Sequence, residues 1–257
     1  MRITHPTGRN VVLMSPQGEE YDARLPPHMV TPKPATAWGD VFGVVPSSAR
    51  VVWSWDFTTG AIPGLVTLVG SASLTREAPT TAANGAQHTY NGSPMLVYNS
   101  GPAVNSSCST TVRLLVPLTS SATYYLASVF NYAGGAAGDY VTFTLRCTTG
   151  TMLYAYAARF VVGTGWQVLD SNLTWSTLPD TPTSYDARDW VPVLLIVNTT
   201  PSYVGLYAGG KVWSPINIAP LSGASSEQPM FIFEVNANNT TTTELTVRFA
   251  QLTLYQT

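Results

Sequence analysis

The chain is short of charge. Only 10% of its 257 residues are Asp, Glu, Lys or Arg, against roughly 25% in ordinary soluble domains. Lysine is nearly missing, present only as Lys33 and Lys211, and the formal net charge is −2. No basic stripe or Lys/Arg cluster exists, so the electrostatic footprint of phosphate-backbone binding is lacking and no nucleic-acid partner is expected. A surface of Thr, Ser, Asn, Gly and aromatic residues has little charge repulsion to hold copies apart. That favours standing contacts with other subunits, although a neutral secreted domain would share the composition.

Long apolar runs are missing as well. No stretch of about 18 apolar residues is present, so no membrane span or membrane partner is expected. The opening Met1-Arg-Ile-Thr-His-Pro has no apolar region of the kind a secretory signal needs, which predicts synthesis in a cytoplasm. There are only two cysteines, Cys108 and Cys147. Cys147 ends the alternation Val141, Phe143, Leu145, Cys147, which predicts a buried free thiol on the apolar face of a strand. Two thiols without a histidine cluster make no zinc site. Helical spacing with caps is absent, and no repeat of 20 to 50 residues argues for a propeller or solenoid.

What the chain has is strand pattern. Asp139-Tyr-Val-Thr-Phe-Thr-Leu-Arg-Cys alternates polar and apolar residues with period two, as a half-buried antiparallel strand does. Residues 110–116, 123–131, 152–161, 203–207 and 230–236 are similar, rich in Val, Thr, Tyr and Phe. The run Trp190-Val-Pro-Val-Leu-Leu-Ile-Val is apolar at both parities, which predicts a strand covered on both faces, with Pro192 near its start or on an edge. Leu245, Val247 and Phe249 change phase to Leu252 and Leu254, so a bulge is expected near Ala250-Gln251. Glycine-bearing turns separate the runs. The predicted fold is all-β, a two-sheet antiparallel jelly-roll-like sandwich with an extended N-terminal arm.

Composition breaks near residue 48, dividing the chain into a Pro-rich arm, 1–48, and a sandwich domain, 49–257. Seven of the nineteen prolines lie between Pro6 and Pro46, where they remove backbone donors and favour extended segments. Val11, Val12, Leu13 and Met14 are expected to add as a strand to a partner's sheet, and Trp38 to join that contact. The alternative is a leader or linker with no partner.

Catalytic patterns are scarce. Glu77, Glu227, Glu234 and Glu244 have no second carboxylate two or four positions away, as the carboxylate pair of a sandwich glycosidase requires. Asp186 and Asp189 flank Arg188 before a strand, where an ion pair or turn bond is expected. His88 is the only histidine outside the arm, with no Gly-x-Ser-x-Gly elbow to accompany it. Phosphate-cradling loops are missing. Asp170-Ser-Asn172 and Asn236-Ala-Asn238-Asn239 offer oxygen ligands without calcium-loop spacing, and turn formation accounts for both. No catalytic residue, metal or cofactor is therefore expected. Trp166, Trp175, Tyr185 and Trp213 lie in or beside turns. Two readings stay open for them: flat rings that hold a sugar face, or amphipathic rings that fill the rim of the sandwich or a subunit contact.

Three segments carry a resemblance. Trp53-Ser-Trp55-Asp-Phe57-Thr-Thr-Gly is similar to the first strand of concanavalin A-like domains. Leu245-Thr-Val-Arg-Phe-Ala-Gln-Leu-Thr-Leu-Tyr is similar to their last strand. Trp190 to Val197, followed by Tyr203-Val-Gly-Leu-Tyr-Ala-Gly-Gly-Lys-Val-Trp, resembles their strand pair around a short glycine turn. Such domains occur in lectins, in glycoside hydrolases and as accessory modules on phage virions. With the arm, the resemblance implies a non-enzymatic structural protein of a bacteriophage virion, a capsid decoration or minor head or tail subunit. Its expected partners are the major capsid or tail protein and copies of itself, in a homo-oligomer. The alternatives are a carbohydrate-binding adhesion module on a virion, reading a host surface glycan, and a glycan-cleaving enzyme.

Overall fold

The computed structural model describes residues 12–14, 20–22, 45–46, 48–55, 65–77, 95–114, 122–148, 151–186, 189–199, 202–216, 221–224, 230–238 and 240–257. Among them every regular element is a strand. In chain order these are β1 (Val12–Met14), β2 (Glu20–Asp22), β3 (Arg50–Trp55), β4 (Leu65–Val69), β5 (Ser73–Glu77) and β6 (Met95–Asn99). Next come β7 (Ser107–Leu114), β8 (Thr123–Gly134), β9 (Tyr140–Thr148), β10 (Met152–Val161), β11 (Gly165–Leu169) and β12 (Trp175–Thr177). The last are β13 (Val191–Thr199), β14 (Ser202–Ala208), β15 (Lys211–Ile216), β16 (Leu221–Ala224), β17 (Met230–Asn238) and β18 (Leu245–Gln256).

Two eight-stranded antiparallel sheets form the body. One, the β8 sheet, runs β15-β14-β13-β8-β18-β6-β5, with β3 also paired to β18; the other, the β9 sheet, runs β12-β11-β10-β9-β17-β7-β4, with β16 also paired to β10. Their inner faces interdigitate in one core, as the period-two pattern requires. Tyr124, Leu126 and Phe130 of β8 meet Val141, Phe143 and Leu145 of β9 there. Phe130 and Phe143 approach edge to face at 5.5 Å, and Phe143 and Phe249 at 5.9 Å, the arrangement ring quadrupoles prefer. The fold is thus the all-β jelly-roll sandwich that the alternation predicts.

The bulge falls where the phase change places it: the β18–β8 register shifts between Phe249 and Gln251. Strand β13 is apolar at both parities because it is buried on both sides. Val193 and Leu195 join the main core, while Leu194 and Ile196 join a second cluster with Tyr125, Ala127, Val129, Ala250 and Tyr255 on the outer face of the β8 sheet. Val45, which precedes the sandwich in sequence, is 7% exposed and belongs to that second cluster. Pro192 is the second residue of β13. Cys108 and Cys147 are free and fully buried.

In the leading segment, Val12, Leu13 and Met14 pair with Asp22, Tyr21 and Glu20 of the same chain in a separate two-stranded sheet. Val11 and Trp38 lie outside the described residues. The expected strand thus exists, and within the described residues its partner is its own chain.

Candidate ligand-binding face

The four turn-side aromatics separate into two groups. Trp166 is expected in or beside a turn, as a sugar platform or a rim ring, and the structure corrects this: strand alternation in β11 sends Trp166 and Val168 inward, and both are fully buried. Its ring packs on Phe130, Phe143 and Phe160 at 6.0, 6.0 and 5.6 Å. Trp166 Nε1 donates to the Tyr185 hydroxyl at 2.8 Å, so its one polar group is satisfied inside. Tyr185 packs on Phe160 at 4.9 Å with the rings tilted by 45°, and its backbone N–H donates to the Tyr132 hydroxyl at 3.0 Å. Burial pushes the Tyr185 hydroxyl up to about 12, opposed by the Trp166 hydrogen bond and reinforced by Tyr132. Trp213 is only 8% exposed and donates to the Pro179 carbonyl at 3.0 Å. As sugar platforms, Trp166 and Trp213 are therefore excluded by burial. With Tyr185 they close one end of the core under residues 178–186.

Two glycines let that closing segment lie down. Gly165 has φ +102°, and a Cβ there would meet Thr181 and the Pro182 carbonyl. Gly209 has φ +56°, and a Cβ there would stand 2.9 Å from the Tyr185 ring. Both positions combine a left-handed backbone with a close approach that only glycine allows.

Trp175 is different. It stands half-buried on β12, on the outer side of the β9 sheet. The Arg159 guanidinium lies over its ring at 4.2 Å and over the Tyr140 ring at 5.0 Å. Arg159 Nε donates to Gln167 Oε1 at 2.8 Å, and Gln167 Nε2 donates to Thr177 Oγ1 at 3.0 Å. Register explains the meeting. Arg159 of β10 faces Gln167 of β11 and Thr142 of β9, and Gln167 faces Thr177 of β12. Alternate residues of each strand, such as Phe160, Val141 and Val168, point into the core. Partial burial lowers the Arg159 pKa while Tyr140 raises it; a guanidinium keeps its charge regardless. Two flat rings and a planar cation, fixed by an amide, form a preorganised surface for a ligand that has both a flat face and polar groups.

Polar residues continue along this face. Thr142, Thr144, Ser109 and Thr111 are half-buried, and Arg113 and Arg146 are exposed. Asn236 stands in register between Thr142 and Ser109, and Glu234 between Thr144 and Thr111. The positions beside Glu234 across both neighbouring strands are therefore threonines, and those two away along its strand are Ile232 and Asn236. The paired carboxylates of a sandwich glycosidase do not occur around Glu234 within this register. The hollow beside Tyr132, Phe160 and Leu245 has no room for even a water-sized molecule, and so is no small-molecule pocket.

Other candidates resolve into structure. Asp139 is fully buried; its carboxylate accepts from Ala136 N at 2.6 Å, Thr240 N at 2.6 Å and Thr240 Oγ1 at 3.0 Å. It ties the β8–β9 turn to the segment before β18. Asp170 Oδ1 accepts from Asn172 N and Thr174 N, both at 2.8 Å, the self-capping turn that an Asp at that position builds. Asp189 N donates to the Asp186 carbonyl at 2.8 Å, the expected turn bond. Burial pushes the Cys108 thiol up to about 12 and raises that of Cys147 too. No cluster of three or more His, Cys, Asp or Glu that could hold a metal ion occurs among the described residues. His88 and Glu227 lie outside them.

The fold and face define an all-β jelly-roll sandwich with a polar, ring-bearing outer sheet. No family model matches the chain, and no curated protein matches it. Solved structures do resemble it in shape. The carbohydrate esterase of the Shiga toxin-encoding bacteriophage phi24B aligns at TM-score 0.49 and 10% identity, over 81% of this chain and 99% of that one. Lectin I from Ulex europaeus aligns at 0.44 and 11%, over 80% and 98%, and the Bacillus licheniformis β-glucanase at 0.41 and 14%, over 79% and 96%. At such identities and scores the likeness carries no functional argument. Function has to be argued from the face itself.

Proposed function

We propose that the chain is a carbohydrate-binding module whose ligand lies across the outer face of the β9 sheet. The observation that carries this is the stack of Arg159 on Trp175 and Tyr140, held by Gln167. Aromatic planes take the C–H face of a sugar ring, and the Thr and Ser rows beside them supply hydroxyl-matching hydrogen bonds. No buried reaction chamber is needed for such binding. A glycan array probed with the full chain tests it: specific signals are expected, lost in Trp175→Ala and Tyr140→Ala while both variants keep their melting temperature. An array with no signal removes this reading.

We further propose that the module is displayed in an assembly, with a virion as its setting. The low charge and Pro-rich leader support this, and one structural feature favours standing contacts. On the edge strand β4, Leu65, Leu68 and Val69 are 67%, 50% and 48% exposed, an apolar edge of the sort that pairs with another chain. Sedimentation should show an oligomer that Leu65→Glu converts to monomer. In a density gradient the protein should travel with phage particles; recovery only from the particle-free fraction removes the virion setting.

A further inference from the structure

We infer that the sugar chain read by this face is acidic, and that Arg159 receives its carboxylate; this rests on the carbohydrate-binding reading above. The guanidinium is built to accept a planar anion. Its Nε is used by Gln167, it lies over the rings of Trp175 and Tyr140, and among the described residues no carboxylate is paired with it. What remains is the pair of terminal nitrogens, the fork that binds a carboxylate bidentately. A partly desolvated guanidinium gains more from a charge-matched carboxylate than a fully solvated one does. Stacking also removes the rotamer freedom that an Arg loses on binding, so the fork is ready before the ligand arrives.

The charge of the whole face agrees. Arg146 and Arg113 stand in one register row, each opposite Ile232, which places their Cα atoms about 10 Å apart at the usual strand spacing. Arg159 is four residues along β10 from Ala155, the register partner of Arg146, or about 13 Å further up the sheet. Three of the chain's few cations thus share the face, and by register the one acidic residue among them is Glu234. A neutral glycan would need the rings and hydroxyls but not three spaced guanidinium groups. A chain of carboxylated sugars, uronic or sialic, needs both.

The experiment is a printed array of neutral, sialylated and uronic acid-containing glycans, followed by titration of the full chain with the best acidic hit and with its carboxyl-reduced counterpart. The acidic form is expected to bind on the order of tenfold or more tightly. Arg159→Lys, which keeps the charge and loses the fork, should weaken it on the order of tenfold, and Arg159→Gln further. Neutral hits that respond to Trp175→Ala, with equal affinity for acidic and carboxyl-reduced forms, overturn this inference and leave the carbohydrate-binding reading standing. Silence across all three glycan classes overturns both. Equal binding of poly-glutamate would make the face a general anion site and overturn the glycan assignment. The comparison of ligands uses the unaltered chain, so it holds even if a variant misfolds.

Discussion

On the outer face of the β8 sheet, Ala127, Val129, Leu194, Ile196 and Ala250 are at most 3% exposed and join one apolar cluster. On the outer face of the β9 sheet, the matching positions are Thr142, Thr144, Arg146, Arg159 and Trp175, half-buried or exposed. Both sheets give their inner faces to the same core, so the difference does not come from the sandwich itself. It shows how burial spends sequence freedom. A strand covered on both sides, such as β13, has successive residues, Val193 to Val197, fixed by packing. A strand covered on one side, such as β9 or β10, leaves alternate residues free to carry recognition chemistry at little cost to stability.

One substitution made on both faces breaks or sharpens this contrast, and it carries the largest expected effect. Leu194→Asp buries an unpaired carboxylate where Leu194 is fully buried, and should cost more than about 4 kcal/mol in urea unfolding, enough to prevent folding. Thr142→Asp should shift stability by no more than about 0.5 kcal/mol. It sets a carboxylate opposite Arg159, so acidic-glycan binding should fall while the fold persists. If Leu194→Asp is tolerated, the outer face of the β8 sheet is not the packed surface described.

This contrast was partly legible in the sequence. The uninterrupted apolar run of β13 announced cover on both sides, and the phase change at Phe249 announced the bulge, because both signals are local. The ligand face was not legible. Tyr140, Arg159, Gln167 and Trp175 become neighbours only through the registers of three hairpins, and a strand pattern says which side a residue takes, not which residue stands beside it. Trp166 was misplaced for a different reason. Its neighbouring glycines suggested a turn, yet Trp166-Gln167-Val168 already alternates, and that period-two signal sends the indole inward. For Trp213, the pairing of β15 with β14 and the Pro179 carbonyl decide its burial, and neither is visible in the residues around it.

Smaller effects come from the junctions that hold the sheets in place without belonging to either face. Asp139→Ala strips acceptors from two backbone N–H groups and the Thr240 hydroxyl, and should cost about 3 kcal/mol. Glycan affinity measured below the new melting temperature should not change, which separates the junction from the ligand face. Tyr185→Phe removes the acceptor of Trp166 Nε1 and should cost about 1–3 kcal/mol for the same reason. Tyr185 also predicts an alkaline limit. Its folded-state pKa of about 12 lies above the ordinary 10.0, so the unfolded chain ionises first. The stability that Tyr185 contributes is complete below pH 10 and is lost as pH rises through its folded value. Denaturant titrations from pH 9 to pH 12 should show the decline in the parent protein and a shallower one in Tyr185→Phe.

The smallest effect is a gain. Leu173 sits at φ +61° and is 64% exposed, in the turn where its N–H donates to the Asp170 carbonyl at 3.1 Å. A branched apolar side chain in the left-handed region is strained, and an exposed leucine recovers little by burial. Leu173→Asn keeps the turn with a residue that tolerates this backbone, and should raise stability by about 0.5–1 kcal/mol, read as a higher urea midpoint at unchanged slope. Leu173 lies two residues before Trp175, the first residue of β12. If the stack already fixes that ring, as its contacts with Arg159 indicate, a tighter turn should leave glycan affinity unaltered. A loss of affinity in Leu173→Asn would instead make the leucine part of the recognising surface, and would extend the open side of the β9 sheet past its last strand.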